Sequence, residues 1–562
     1  MYNFLFDLIF INLFIKTVKT ENFIKNFNDG WHSSQKDKII TSSTTNTKDV
    51  QELELIINQI QRLINQTEEN LILSSSFYSP LDPLVSARKL WSEHVYSFPK
   101  AKQIATSAYI SIELTKILKG NNKFSNVLYS KNQHIINNIL QKYCYKEENE
   151  EENCEMSSPH RKIDGRCNNP QKPLLGSTFS PFQRLLEADY SDGISEPRKS
   201  SSSSKKFSSS ISLPNVRLLS NLLFREPKAI KLNSPPTTAN SLIAHWSALI
   251  HTDLVHIGSS QLITEHGENR LIHCCAIENG LGAPDIEQHL FHPECYSINL
   301  SIDDPKFRGL INCFDYSRTL PSPRTENCSL GQREQLNQAT SFLDASFLYG
   351  SLDEQTNSLR SFKNGKLISS RENGPNSLSK ELPPTLEMLK NGGKSQKLIW
   401  NNYFCSSGNF GICFGGGNVQ INFLPSLTAL NTIQHNSIAT HLFKLNKEWT
   451  DEQLFQESRR IIIAQLQIIT FNEWLPLIIG KENWIKFKLD VFNDENGYIL
   501  SEDPTTVYFS FTMFESKFAH LEPNGISSME KPLSEWMYEP SSLMFSQRID
   551  GILRFLKKYI FK

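Results

Sequence analysis

The spacing of apolar residues predicts that this chain folds mostly into helices. Apolar residues recur at helical spacing in VQELELIINQIQRLINQ and LVSARKLWSEHV, within the polar region 48–140. The clearest helix is predicted over 449–480, because Thr450 can cap its first turn and Gly480 ends it. Its apolar stripe consists of Leu454, Phe455, Ile461, Ile462, Leu466 and Ile469. Strand-like alternation is sparse, so the pattern predicts a mainly α fold with little β structure.

The N-terminus carries an apolar run, LFDLIFINLFI, from Leu5 to Ile15, which is too short to span a bilayer. Its length is typical of the core of a secretory signal peptide, which we predict over residues 1–22. Asp7 interrupts the run, and no small-x-small cleavage site follows it. A buried N-terminal helix is therefore the alternative interpretation.

An acidic run, KEENEEENCE at 146–155, divides the rest of the chain. Runs of this kind are usually solvated linkers, so this one indicates a domain or processing boundary. We predict a helical pro-region or N-terminal extension over residues 23–153 and the main domain over residues 154–562.

The charge balance excludes one broad class of function. The chain has 562 residues, with 58 Lys and Arg against 59 Asp and Glu, which leaves a net charge of −1. Proteins that bind nucleic acids usually carry a clear basic surplus. We therefore expect no nucleic-acid partner, and the short apolar run gives no reason to expect a membrane span. The hydrophobic fraction of 39% predicts a packed core.

The ten cysteines indicate an oxidising compartment. Most of them lie in loop-like sequence, and none belongs to a CxxC metal pair. Dispersed cysteines of this kind are typical of disulfides in secreted proteins, with buried free thiols as the alternative. Short loops favour the pairs Cys154–Cys167 and Cys313–Cys328, and the other pairings stay open. Sequons compatible with secretion stand at Asn65, Asn299 and Asn327.

Residues 334–351, EQLNQATSFLDASFLYGS, carry the most informative chemistry. Oxygen donors alternate along this segment, at Thr340, Phe342 through its carbonyl, Asp344 and Ser346. In a short extended turn this spacing points successive oxygens inward, as a hard cation such as Ca²⁺ requires. The alternative interpretation is a Ser/Thr-rich loop before a strand.

From about Cys154 onward the chain resembles the animal haem peroxidase superfamily, which includes peroxinectins, peroxidasin-like proteins and chorion peroxidases. The resemblance is carried in order by IDGRCNN, PFQRLLEADYSDG, CCAIENG, HPECYSINLSIDDP, the segment 334–351 and CFGGGNVQINFLPSLTALNTI. It implies a mainly α-helical fold that encloses haem b in active relatives, with a calcium-binding loop at 340–346. Relatives continue beyond the position of Lys562, so we expect the C-terminal part of the domain to be missing.

The resemblance places a distal-pocket stretch at Trp246–Leu254, where the family reads like W-G-Q-F-L-D-H-D-L. Thr252 then occupies the position of the distal base, and His251 that of the Asp that forms an ester with haem. Thr accepts no proton near neutral pH, so the position of the general base lacks one. His251 is an alternative base, but a shift of one residue turns a helical side chain by about 100°. Asp253 keeps the position of a family calcium ligand.

Two further stretches carry expected haem contacts. Gln420 occupies the position of the distal Arg, and Phe423 that of the second ester-forming residue, a Glu in the family. Gln carries no charge and stabilises a developing oxyanion less well than Arg. His520 is the candidate proximal haem ligand, although an extra residue separates it from Asp503-Pro504. A partly exposed histidine at a helix end is the alternative interpretation of His520.

These substitutions favour a secreted, calcium-containing pseudoenzyme in which peroxide-dependent oxidation is reduced or lost and haem b binding is doubtful. Such a protein would bind an extracellular matrix or cell-surface protein. The second hypothesis is an active haem peroxidase with a non-standard base, which would oxidise a small-molecule donor with hydrogen peroxide. A third is an incomplete gene product, whose helical core would lack neighbours that bury its apolar faces.

Overall fold

The computed structural model describes only part of the chain. The described residues are 47–75, 98–120, 133–145, 154, 160–169, 172–198 (apart from 183, 185 and 186), 213–223, 242–260, 292–305, 328–368, 424–487 and 489, with short stretches within 262–283 and 313–324. The predicted signal peptide lies outside these residues. The chain divides into two compact units, Met1–Glu54 with Ile468–Gly497, and Leu55–Gln467 with Tyr498–Lys562.

Helices dominate the described residues, as predicted for a mainly α fold. They are α1 (Thr47–Ser75), α2 (Pro99–Gly120), α3 (Gln133–Leu140), α4 (Val216–Leu223), α5 (Leu242–Leu254), α6 (Ser346–Tyr349), α7 (Asp353–Leu359), α8 (Leu424–Leu445), α9 (Asp451–Ile468), α10 (Leu475–Ile479) and α11 (Lys481–Lys486).

The strands of the described residues are short and pair in antiparallel twos. They are β1 (Leu262–Ile263) with β2 (Asn269–Arg270), β3 (Ala276–Glu278) with β4 (Leu281–Ala283), β5 (Ile298–Asn299) with β6 (Cys313–Phe314), and β7 (Pro321–Ser322) with β8 (Glu334–Gln335).

The helix predicted over 449–480 is confirmed. Thr450 and Gln453 form a reciprocal cap, in which the Gln453 amide donates to Thr450 Oγ1 at 3.2 Å and the Thr450 amide to Gln453 Oε1 at 2.9 Å. After α9 a π-helical segment, Ile469–Trp474, leads directly into α10. The run stops at Gly480, whose φ of 84° suits glycine.

The run Asp451–Ile479 is long and apolar enough, by length and composition, to cross a membrane. However, Leu454, Phe455, Ile462 and Leu466 of α9 are buried. Packing inside the protein therefore accounts for these four apolar residues of α9.

The main core of the larger unit joins α5, the segment around α6, α8 and α9. Its buried members are Leu249, Ala345, Phe347, Leu348, Tyr349, Leu359, Leu367, Leu427, Phe455, Ile462, Ile463 and Leu466. Full burial of a Leu, Ile or Phe side chain contributes about 1.5–3 kcal/mol to folding through the hydrophobic effect.

Arg360 holds the segment after α7 against the start of α9. Its guanidinium lies 4.1 Å from the centre of the Phe455 ring and forms ion pairs with Asp451, at 2.8 Å, and with Glu452. Gly365 comes so close that a Cβ there would lie 2.5 Å from the Phe455 backbone nitrogen. A residue larger than glycine would therefore push this segment away from α9.

His435 lies fully buried on α8 between two neutral partners. Its Nε2 is 2.8 Å from the Gly365 carbonyl and its Nδ1 is 2.8 Å from the Tyr349 hydroxyl. Because a carbonyl only accepts, Nε2 carries the proton and Nδ1 accepts from Tyr349. Burial lowers the pKa of His435 from 6.5 to about 4.

Residues 98–120 and 133–145 pack against the rest of the larger unit, although they lie within the predicted N-terminal extension. The Phe98 amide donates to Gln338 Oε1 at 2.7 Å, and the Tyr109 hydroxyl is 2.9 Å from Ser260 Oγ. Ala101 and Ala105 of α2 share a cluster with Leu320 and Leu336. This part of the extension is therefore built into the fold.

The disulfides confirm one predicted pair and correct the other. Cys154 pairs with Cys167, as the short loop predicted. The predicted pair Cys313–Cys328 is wrong, because Cys328 bonds to Cys144 just after α3. Cys313, on β6, is also disulfide-bonded. A further bond joins Cys274 and Cys295. Packing of residues 98–120 and 133–145 brings Cys144 to Cys328, which proximity along the chain did not indicate.

Replacing both Cys144 and Cys328 with Ser is expected to lower the free energy of unfolding by about 3–5 kcal/mol. A disulfide reduces the conformational entropy of the unfolded chain, and this effect is larger when the disulfide closes a longer loop. The two cysteines are 184 residues apart. The control is the double replacement of Cys154 and Cys167, 13 residues apart, with an expected loss of about 3 kcal/mol. Urea unfolding measures both, and a smaller loss for the Cys144 pair would contradict the expectation.

The buried imidazole is expected to make the protein sensitive to acid. In the unfolded chain His435 takes up a proton as the pH falls through its ordinary pKa of 6.5, whereas in the folded protein its pKa is about 4. This contribution to stability is therefore complete above about pH 6.5 and is lost as the pH falls towards about 4, by roughly 3 kcal/mol in all. The stability difference between wild type and His435→Gln should shrink over that window. His441→Gln, on an exposed position of the same helix, should keep the wild-type pH dependence.

Candidate functional site

The site is built around the carboxylate of Asp253, at the end of α5. Asp253 is fully buried. Its Oδ2 accepts from the backbone amides of Asp344 and Ala345, each at 3.2 Å. Its Oδ1 accepts from the Phe347 amide and the Ser346 hydroxyl, also at 3.2 Å. One carboxylate thereby connects α5 to the loop that precedes α6.

The backbone of this loop turns sharply at Ala345. Its φ of 61° lies in the left-handed region, which costs energy for a residue with a Cβ. The turn occurs just where α6 begins, so the free amides at the start of α6 face Asp253. Hydrogen bonds to a carboxylate at a helix start are favourable and offset that cost.

The other predicted oxygens lie in the same loop. Thr340 Oγ1 donates to Asp344 Oδ2 at 2.7 Å and lies 3.5 Å from the Phe342 carbonyl oxygen. Ser346 Oγ donates to the Asp253 carbonyl at 2.6 Å. The second oxygen of Asp344, Oδ1, is buried and has no hydrogen-bond partner among the described residues. The structure thus brings the five predicted oxygen donors together, and two of these donors are the carboxylates of Asp253 and Asp344.

Positive charge compensates the two buried carboxylates only in part, through Arg459 beside Asp344. Burial raises the pKa of Asp253 well above its usual range, and the nearby charge of Asp344 raises it further. Burial also raises the pKa of Asp344, to about 6, although the Arg459 guanidinium opposes the rise. A divalent cation would favour the ionised form of both groups.

The donor set fits a hard cation in its chemistry. It contains carboxylate, hydroxyl and carbonyl oxygens and no sulfur or imidazole, as Ca²⁺ prefers. Within the described ranges, no group of three or more His, Cys, Asp and Glu residues forms a metal cluster. The orphaned oxygen of Asp344 is the observation that most directly favours a cation here.

Thr252 precedes Asp253 on an unbroken α5. Its hydroxyl donates to the Ala248 carbonyl of the preceding turn, at 2.9 Å. His251 is one residue away and therefore points about 100° from Thr252 around the helix. Since Asp253 holds the rotation of α5, His251 does not take the place of Thr252. At the position that the family resemblance assigns to the distal base, the structure therefore holds a hydroxyl and no imidazole.

Three predicted haem contacts, Gln420, Phe423 and His520, lie outside the described residues. Sequence reasoning also missed one residue near the site. Arg459 of α9 is buried, donates to the Arg161 carbonyl at 2.8 Å and interacts electrostatically with Asp344. The signal that could have found it is a charged residue on the apolar stripe of α9, four positions after Phe455.

Comparisons with known proteins show which sequences and structures this chain is similar to. A family model described as animal haem peroxidase matches residues 160–560. The chorion peroxidase of Drosophila melanogaster is 31% identical over 420 residues, which cover 71% of this chain and 47% of that protein. Human myeloperoxidase is 28% identical over 420 residues, covering 71% and 51%. The structure of peroxidase A from Dictyostelium discoideum is 23% identical, covers 57% of this chain and 53% of that chain, and has a TM-score of 0.39.

The extent of these matches differs between the family and the individual relatives. The chain spans about half the length of the curated relatives it matches. The family model, in contrast, covers most of the chain, from residue 160 to residue 560. On that match, the chain belongs to the animal haem peroxidase family.

Proposed function

We propose that this family member has lost most or all peroxide-dependent oxidation and acts by binding another molecule. The observation that carries the proposal is Thr252 on an unbroken α5 whose rotation Asp253 holds. The substitutions at Gln420 and Phe423, read from the sequence, point the same way.

The chemical reason is the proton transfer that peroxide cleavage requires. A distal base must take a proton from one peroxide oxygen and deliver it to the other, and an imidazole suits this near neutral pH. The Thr252 hydroxyl is no base at that pH, and it already donates to Ala248. Haem would supply the redox chemistry in active relatives, but the described residues here provide no proton acceptor beside it.

We also propose that the loop binds calcium. Asp253, Thr340, Asp344 and Ser346 would supply side-chain oxygens, and Phe342 its carbonyl. The cation would add to the positive charge that Arg459 already supplies beside Asp344. Its role would be to keep the end of α5 and the start of α6 together, which is a structural role and needs no peroxidase turnover.

Secretion is part of the same proposal. Cys144–Cys328, Cys154–Cys167 and Cys274–Cys295 are disulfides in the structure, and such bonds persist mainly in oxidising compartments. The partner would be an extracellular matrix or cell-surface protein. The predicted absence of nucleic-acid binding and of a membrane span belongs to this proposal too.

Peroxidase turnover provides the direct test. After reconstitution with haemin, the wild type is expected to oxidise guaiacol with peroxide little faster than free haemin does. Thr252→His should raise the rate, since removing or adding a positioned acid–base group changes rates by about 10²–10⁴-fold. His251→Gln should change nothing. Fast wild-type turnover that His251→Gln abolishes would instead establish His251 as a non-standard base and an active enzyme.

Calcium binding is tested by thermal unfolding with calcium and with a chelator. Calcium at a hundred times its Kd is expected to add about 2.7 kcal/mol to the free energy of unfolding. Asp344→Asn keeps an acceptor for Thr340 but removes a charge, so it should lose most of this gain. Asp303→Asn, at an exposed position, is the matched control and should keep it. An unfolding temperature that ignores calcium would contradict the proposed site.

A further inference from the structure

Helix α4 turns its polar side toward the protein. Arg217 donates to both carboxylate oxygens of Asp304, at 2.7 and 3.1 Å, and Asn221 Nδ2 donates to Asp304 Oδ2 at 3.0 Å. Asp304 is buried, so this charge-assisted pairing determines which side of α4 faces inward.

The opposite side of α4 is apolar and exposed. The exposed fractions are 55% for Val216, 54% for Leu218, 41% for Leu219 and 65% for Leu222. Ile302, exposed by 80%, lies between Asn299 and Asp304, which both hydrogen-bond to the α4 region. We call the four exposed aliphatic residues of α4 the α4 patch. A cluster of exposed aliphatic side chains is a liability for aggregation unless something covers it.

A sequon lies at the edge of the α4 patch. Asn299-Leu300-Ser301 has the Asn-X-Ser pattern of glycosylation acceptors. The Asn299 carbonyl accepts from Asn215 Nδ2 at 3.1 Å, directly before α4 begins. In β5 and beyond, the Asn299 side chain is exposed and Leu300 is buried. Strand alternation therefore directs the Asn299 amide to solvent, and the contact with Asn215 places its backbone beside the residue that precedes α4.

We propose that Asn299 carries an N-linked glycan that covers the α4 patch. The donor is an oligosaccharide linked to a lipid diphosphate. The Asn299 Nδ2 forms a bond to the first sugar carbon and loses one proton, while the sugar–phosphate bond breaks and the diphosphate leaves with the electron pair. This inference rests on the proposed secretion, because the donor is found on the secretory route.

Geometry separates this sequon from another in the described residues. Asn65 lies in the middle of α1, and the hydroxyl of its sequon residue Thr67 donates to the Leu63 carbonyl at 2.8 Å. Asn299, in contrast, is followed by a turn in which the Asp304 amide donates to the Ser301 carbonyl. A bulky, hydrated glycan on Asn299 shields neighbouring apolar side chains from other molecules.

The test uses the full chain produced in eukaryotic cells with its own N-terminus. Peptide mass spectrometry after enzymatic deglycosylation should show conversion of Asn299 to Asp. Asn299→Gln and Ser301→Ala should each lose one glycan, bind more of a hydrophobic dye and shift from monomer to larger species. Ser301→Thr keeps the sequon and should behave as wild type. Adding Leu218→Gln and Leu222→Gln to Asn299→Gln should restore the monomer.

Any of the following results would overturn the inference. If the protein is secreted with an unmodified Asn299, the inferred glycan is absent, but the proposed function is unaffected. If dye binding and size do not change after the glycan is lost, the glycan does not cover the α4 patch. The same conclusion follows if the glycosylated protein forms dimers or binds lipid. A chain that never enters the secretory route contradicts both proposals. Asn65→Gln is the control, which should change neither dye binding nor size.

Discussion

The hydrogen bonds between the Asp253 carboxylate and the amides of residues 344, 345 and 347 hold the site together. They connect the last turn of α5 to the start of α6, and both helices contribute to the main core. Because the carboxylate is buried and hydrogen-bonded, the end of α5 has a single orientation about the helix axis. That orientation determines where His251 and Thr252 point, and so whether any base faces the distal side.

This arrangement is electrostatically expensive on its own. Asp253 and Asp344 are both buried, and each raises the cost of ionising the other. Arg459 supplies one opposing charge, while one Asp344 oxygen stays without a hydrogen bond among the described residues. A bound cation would remove this cost. The loop then has a structural purpose that is independent of haem chemistry.

Under the proposed function, structure and catalysis are separable in this family member. The loop and the core helices depend on residues that are present, whereas the proposed loss concerns one side chain, Thr252, at the position that the resemblance assigns to the base. The packing around α5 does not require an imidazole at that position. The disulfide from Cys144 to Cys328 and the packing of α2 stabilise the same unit from its N-terminal side.

The sequence by itself determined what depends on near neighbours. Helical spacing and a local cap predicted α9, a short loop predicted Cys154–Cys167, and alternating oxygens predicted the loop at 340–346. Only the tertiary structure decided the partner of Cys328, the four donors to Asp253 and the place of Arg459 beside Asp344. The reason is physical: contacts within a few residues follow from backbone geometry, whereas contacts between distant segments depend on how the whole core packs.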